Sequence, residues 1–345
     1  VVQPPAIDRA IHLAPGRAAG ARLREAGARH VALLEDDLTH GPSSSDPRAH
    51  ARLRRAHRAE VSGADARGAG DLAATLDLLP GELPVVLWTS GAWRDLLAAA
   101  RALVALRRAR VPARRIRLAR AEGPQPIGER AARSLRSLLA RAHPIRPGEL
   151  RGAVSVWRAF TARTPAALDR LRRRPGVFPG LAAAAAEHAA LFPRLDARAP
   201  GRLSLSTLDR ALLAGLSRFW WRAVADVTRA AGRAGRTLAW AHGEALLRQR
   251  LLDWCAVEPD PPAEFRVRAR ASRPEILFRV TPAGRRLLAE GLADPRRAPP
   301  LAAGGQVSYR GRPTWACAVE GGAWRLVPWR KRRRRASPRR RRTRG

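Results

Sequence analysis

The chain has 345 residues, 46% of them hydrophobic, and a formal charge of +37 at pH 7. That length accommodates two or three domains with sizeable cores, and its two cysteines, Cys255 and Cys317, exclude a disulfide framework and a cysteine-rich zinc site. No apolar run approaches the ~20 residues that span a bilayer, and no basic region followed by an apolar core opens the chain. No membrane partner is therefore expected, and the cytoplasm is the expected compartment. The charge would ordinarily point to a polyanion. However, Met and Asn are absent, and Lys331 and Tyr309 are the only residues of their types. The scarce residues have AT-rich codons and the abundant Arg, Ala, Gly and Pro have GC-rich ones. A solvated arginine surface set by codon bias competes with a nucleic-acid surface as the reading of the charge.

Ala10 to Leu13 is a short apolar strand candidate, broken by Ala14-Pro15-Gly16. Arg17 to Ala26 reads as a helix stopped by Gly27. Val31 to Leu34 is a second apolar run of the kind buried on both faces. Strand, helix, strand at this spacing predicts two parallel strands. The second strand runs straight into Asp36, Asp37, Thr39 and His40, then Gly41-Pro42. In an open α/β sheet, ligands sit beyond the carboxyl ends of the strands, so this is where a site is expected. Ser45 or Asp46 and Pro47 start a helix over 48–61; another is expected over 71–79. Pro84 to Trp88 is a third buried strand, with Ser90 as N-cap of a helix over 92–107. Ile116 and Leu118 mark a fourth strand, and a helix over 129–142 closes a mostly parallel α/β domain at 1–146.

Three helical stretches, 148–162, 165–173 and 181–192, then form an expected connector at 147–200. His188 there reads as an ordinary helical histidine. Helices are expected from Ser204 or Ser206 to Leu216, over 219–230, and over 237–254. Phe265-Val267-Ala269 and Ile276-Phe278-Val280 alternate across a turn, which predicts a hairpin, and 283–290 predicts a closing helix. Three helices, a hairpin and a helix follow the order of a winged helix, expected at 201–292. The run RVTPAGRRLLAEG (279–291) is similar to the wing strand and following helix of MarR- and PadR-like winged-helix proteins. A small β-rich segment is expected at 293–329, with strands at 306–309, 314–319 and 324–327. Residues 330–345 form a basic tail with eleven Arg or Lys in sixteen positions, expected to be disordered in isolation.

Together these stretches resemble the bacterial domain-of-unknown-function 1835 family over roughly residues 10–329. IHLAPGRA keeps His12 and Gly16 of that family's opening strand and turn. Asp36-Asp37-Leu38-Thr39-His40-Gly41-Pro42 is similar to its Asp-Asp-Leu-Ser-x-Gly-Pro motif, and FPRLDARAPGRLSLSTLD (192–209) is similar to its FPxxxxGLSxxE segment. The family's name assigns no reaction, so the resemblance implies a fold. Two departures matter. Arg17 and Ala18 stand where the family has Asp and Ser, and Thr89-Ser90-Gly91 follows Trp88 where it has acidic or amide residues. If those groups served a metal or acid/base site, this chain has lost most of it; a lone carboxylate pair holds Mg²⁺ poorly. No cofactor, no metal and no robust metal-dependent hydrolysis are therefore expected.

Asp36, Asp37 and His40, with His12 and Ser90 from neighbouring strand ends, form the candidate site. Either they line an anion or nucleotide pocket with His40 as acid/base, or the carboxylates accept loop N–H bonds in a stiff turn. Ala14 to Arg17 could present backbone amides to an anion. Arg248, Arg250, Arg266 and Arg268, with Arg332 and Arg333 of the tail, are the candidate nucleic-acid contacts; a winged helix can also pair with a protein. The expected function is a non-enzymatic binding or regulatory protein with affinity for DNA or RNA. The alternative is an enzyme, or a degenerate one, acting on a nucleotide or phosphorylated ligand at the carboxyl edge of the N-terminal sheet.

Overall fold

The computed structural model describes residues 5–34, 36, 38–39, 41–62, 82–174, 178, 180–195, 203–269, 275–290, 303–304, 315–320 and 323–328. The expected helix at 71–79, the strand at 306–309 and the basic tail lie outside the described residues. The fold is mixed α/β, built on a five-stranded sheet. In chain order come β1 (Ile11–Ala14), β2 (His30–Leu33), β3 (Gly41–Pro42), β4 (Val85–Thr89), β5 (Ile116–Arg120) and β6 (His143–Pro144). The sheet order is β2-β1-β4-β5-β6. Its first four members are parallel and β6 is antiparallel. His12 lies opposite both Val31 and Val86.

Side chains alternate across this sheet. Ile11, Leu13, Val85, Leu87, Ile116 and Leu118 share a core with α3 (Trp93–Arg108). Ala14, Val86, Trp88 and Ala119 pack on the other face against α1 (Arg17–Glu25) and α4 (Ala132–Ala140). Burial on both faces explains why the strands read as continuous apolar runs. Between β1 and β2 lies α1, and α2 (Pro47–Ser62) follows β3. The chain leaves β1 in one direction along the sheet to β2 and in the other to β4. That reversal is the topological switch point of a doubly wound sheet, the usual place for a ligand cleft.

The helices expected as a connector join the first core. Val156, Trp157 and Phe160 of α5 (Pro147–Phe160), Leu168 of α6 (Ala166–Arg172) and Leu181 of α7 (Leu181–Ala189) bury against the α3 face. A second core begins at Ala189 and runs through α8 (Thr207–Gly215), α9 (Val224–Ala230) and α10 (Gly232–Cys255). It continues into the hairpin of β9 (Ala263–Arg268) and β10 (Glu275–Val280). The hairpin pairs Phe265 with Phe278 and Val267 with Ile276, as the alternation predicts. It leads into α11 (Pro282–Glu290).

Two helix boundaries differ most from expectation. The helix expected over 219–230 begins only at Val224, because Arg222 pairs through its backbone with Phe278 of β10. The helix expected over 237–254 starts at Gly232 and is kinked at Gly243, whose φ of 72° is one that glycine adopts without strain. The last strands do not stand apart. β12 (Trp315–Glu320) and β13 (Ala323–Pro328) join β7 (Arg194–Leu195) and β8 (Leu203–Ser204) in one sheet. β11 (Ala303–Gly304) pairs with β3. Among the described residues no helix is long and apolar enough to cross a membrane.

Candidate functional site

At the switch point lies a cleft of about 210 Å³. Pro15, Gly16, Arg17 and Ala18 form one wall, Leu34, Asp36 and Leu38 a second, and Arg94, Asp95 and Ala98 of α3 a third. The first wall is the β1–α1 turn. Gly16 occupies the N-cap with a φ of 92°, and no side chain caps the helix. First-turn amides lack intrahelical acceptors and carry the positive end of the helix dipole, so this wall favours an anion.

Asp95 dominates the third wall. It is 1% exposed. Its Oδ2 accepts from Ser90 Oγ at 2.8 Å and from the Ile127 amide at 2.9 Å. Its Oδ1 has no hydrogen-bond partner among the described residues, and Arg94 Nε stands 3.7 Å away. Burial pushes the Asp95 carboxyl up, against the Ile127 hydrogen bond and the Arg94 charge that pull it down. Sequence reading passed over this residue. It sits in the first turn of α3, seven positions beyond Trp88, and folds back to the strand end through Ser90. The carboxylate near this strand end is thus supplied from the helix. A Ser five residues before an Asp at a strand-to-helix junction was the available signal.

Asp36 is held on the opposite wall. Arg54 Nε donates to its Oδ1 at 2.8 Å, Arg101 Nη1 to its Oδ2 at 3.2 Å, and His50 Nε2 stands 3.4 Å from Oδ2. His50 Nδ1 accepts from the Ser44 amide at 3.3 Å, so the ring presents its N–H to the carboxylate. Burial alone would raise the Asp36 carboxyl; His50, Arg54 and Arg101 outweigh it and hold it well below the usual carboxylate range. Burial in turn keeps His50 below its ordinary value. Asp36 is therefore an ionised, saturated anchor rather than a base with lone pairs to spare.

The expected grouping of His12 with Asp36 is not what the fold builds. His12 is fully buried on the α1 face, outside the cleft. Its Nδ1 accepts from Trp88 Nε1 at 3.0 Å and its Nε2 donates to the Ile7 carbonyl at 2.7 Å. Period-2 alternation turns it away from the side facing α3, and burial lowers its pKa further. Ser90 is 2% exposed and supports Asp95 without lining the cleft. Asp37 and His40 lie outside the described residues.

The loop after β2 also reaches the second core. Thr39, fully buried, donates through Oγ1 to the His242 carbonyl at 2.8 Å, one residue before the Gly243 kink. The His242 ring donates from Nε2 to the Glu187 carbonyl at 3.0 Å. The kink is therefore gripped from both sides.

The expected nucleic-acid arginines separate. Arg250 is 3% exposed and donates to Asp209 through Nε at 2.6 Å and Nη2 at 2.8 Å. A phosphate cannot reach it without opening the core, which corrects its expected role. Arg248 is half-buried. Arg266 is exposed beside Trp221, and Arg268 is exposed and paired with Glu275. Arg332 and Arg333 lie outside the described residues.

No protein-family model matches the chain, and no curated protein or solved structure is significantly similar to it. The resemblance of residues 10–329 to the 1835 family thus stands on the motifs alone.

Proposed function

We propose that the protein is a non-enzymatic regulatory binding protein. Its α/β domain takes a small phosphorylated ligand bearing a hydroxyl, and its C-terminal winged-helix-like unit has affinity for nucleic acid. The observation that carries the first half is buried Asp95, whose Oδ1 accepts no hydrogen bond among the described residues, in a cleft that the uncapped N-terminus of α1 also lines. A phosphate suits the α1 amides with Arg17 and Arg94 nearby. A ligand hydroxyl suits Asp95 Oδ1, since a buried polar atom left unpaired is costly. About 210 Å³ is below the usual range of ligand pockets and suits a phosphate on a short carbon chain.

The same residues favour binding over turnover. Asp36 is saturated by His50 and two arginines, and Ser90 is buried behind Asp95, so neither is poised as base or nucleophile. Regulation follows from the Thr39–His242 bond. Leu38 lines the cleft, and its neighbour Thr39 holds the kinked helix that leads into the hairpin. A ligand that prefers one arrangement of this loop would bias that helix.

The test is fluorescence anisotropy of the full chain on a labelled duplex, with and without glycerol 3-phosphate. The expected result is a change in Kd of roughly fivefold or more, the lower end of usual coupling, abolished by Thr39→Val. Equal Kd values with the cleft occupied would refute the regulatory reading.

A further inference from the structure

The loop between α8 and α9 reads Arg218-Phe219-Trp220-Trp221-Arg222. Trp220 is 71% exposed and Phe219 65%, whereas Trp88, Trp93, Trp254, Phe160, Phe192 and Phe278 are each under 2% exposed. Most large aromatics are thus sealed in, while Trp220 and Phe219 protrude furthest and Phe265 of β9 is 50% exposed; exposed aromatics of this size mark an interaction surface.

The loop is held, so its rings are presented on a fixed platform. Arg222 and Phe278 exchange backbone hydrogen bonds of 2.9 and 2.8 Å. Ser217 Oγ accepts the amides of Phe219 and Trp220, each at 3.1 Å. Arg222 Nη1 donates to the Gly215 carbonyl at 3.0 Å. Guanidinium groups lie over the rings on either side of Trp220. Arg218 Cζ is 4.1 Å from the Phe219 centroid, and Arg266 and Arg279 are 4.8 and 4.7 Å from that of Trp221. Two carboxylates offset this charge: Glu264 pairs with Arg279 and Glu275 with Arg268.

We propose that this platform binds single-stranded nucleic acid. Bases stack on Trp220 and Phe219, and phosphates lie against Arg218 and Arg266. The inference rests on the proposed nucleic-acid affinity and names the strand form recognised. In a duplex each base face is already stacked on its neighbour, so a protruding ring gains little. Splayed bases of a single strand offer free π faces, and stacking with arginine alongside is how such strands are held. The helix leading into the hairpin points the same way, because its Arg250 is locked in the core on Asp209. A lipid surface fits less well: Val267 of β9 is 59% exposed, but Arg266 and Arg268 flank it in the strand, and membrane-seated faces bring more aliphatic side chains with their aromatics.

The experiment measures anisotropy of full-length protein with a labelled 20-nucleotide deoxythymidine strand and a 20-base-pair duplex. The proteins are wild type, the Phe219→Ala/Trp220→Ala double variant, and Trp220→Phe. Stacking losses per base predict roughly 10- to 100-fold weaker single-strand binding in the double variant. Duplex binding should stay within about twofold, and Trp220→Phe should retain most single-strand affinity. Both variants are at exposed sites, and an unchanged melting temperature will show that they fold. Unchanged single-strand affinity in the double variant overturns this inference, while duplex binding by the same protein leaves the broader nucleic-acid reading standing. Absence of binding to either strand form overturns both. Vesicles of phosphatidylserine and phosphatidylcholine that bind wild type and release the double variant, with single-strand affinity unaltered, assign the platform to lipid and overturn the inference.

Discussion

Thr39 Oγ1 donates a 2.8 Å hydrogen bond to the carbonyl of His242, joining positions 203 residues apart. One partner follows the cleft residue Leu38, and the other precedes the kink at Gly243. A kink strips nearby carbonyls of their i+4 amides, and a buried carbonyl must find another donor. Thr39 supplies it.

Thr39→Val keeps the shape and removes the donor. The carbonyl is then buried and unpaired, which costs about 1–3 kcal/mol. Urea denaturation of the two proteins should show a lower midpoint for the variant with an unchanged slope. An equal midpoint would mean that the junction relaxes and carries no load.

Asp209 and Arg250 are each at most 3% exposed, and Asp209 Oδ1 also accepts from Trp254 Nε1 at 2.9 Å. Asp209→Ala strands a buried guanidinium and should cost about 3–5 kcal/mol. Replacing both, as Asp209→Leu/Arg250→Met, should recover most of that loss, since both charges are gone. A double-mutant cycle by denaturant melting measures this; additive losses would contradict the pairing.

His188 makes the protein acid-sensitive. It is fully buried among Trp93, Phe160 and Phe192, with ring centroids 5.4, 5.8 and 5.5 Å away, and neither ring nitrogen has a hydrogen-bond partner. Burial, with the nearby His242 as a lesser cause, pushes its pKa from 6.5 down to about 3. A histidine lowered on folding stabilises the neutral form. Its contribution is complete above pH 6.5 and is lost as the pH falls toward 3. Across that window this residue should remove about 1.4 kcal/mol of stability per pH unit. His188→Leu should therefore flatten the acid limb of a stability–pH profile while leaving the neutral region folded. An unaltered acid limb would mean that another group governs it.

Most of the sheet was legible because β1, β4 and β5 are short apolar runs buried on both faces, a pattern that needs no partner to be read; β2, which reads the same way, is an edge strand and only half-buried. The hairpin was legible for the same local reason: Phe265, Val267, Ile276 and Phe278 alternate. The site was less so. Asp36 stands where the strand end predicts, but His50, Arg54 and Arg101, which fix its charge, come from α2 and α3. His12 was misplaced because a strand residue one position over faces the other side. Arg250 read as a surface cation because its partner Asp209 is 41 residues away and two helices earlier. The run Phe219 to Arg222 read as helix because its pairing with Phe278 is tertiary; composition alone prefers a packed helix there.

A small phosphorylated ligand in the cleft between β1 and α3 is open to a direct test. The direct measurement is calorimetric titration of glycerol 3-phosphate into wild type, Asp95→Asn and Ala98→Leu. Ala98 lines the cleft at the margin of the first core, so leucine there fills the cleft, and an unchanged melting temperature shows that the core accepts it. Asp95→Asn changes the group that meets the ligand hydroxyl and relieves a carboxyl that burial pushes up. Raised on folding, Asp95 loses its stabilising contribution as the pH climbs through its folded value, so the Asn variant should be no less stable at neutral pH. Saturable one-site binding to wild type is expected, weakened roughly tenfold or more by Asp95→Asn, a loss of about 1.4 kcal/mol, and abolished by Ala98→Leu. Equal binding to all three proteins, or none to wild type, would contradict it.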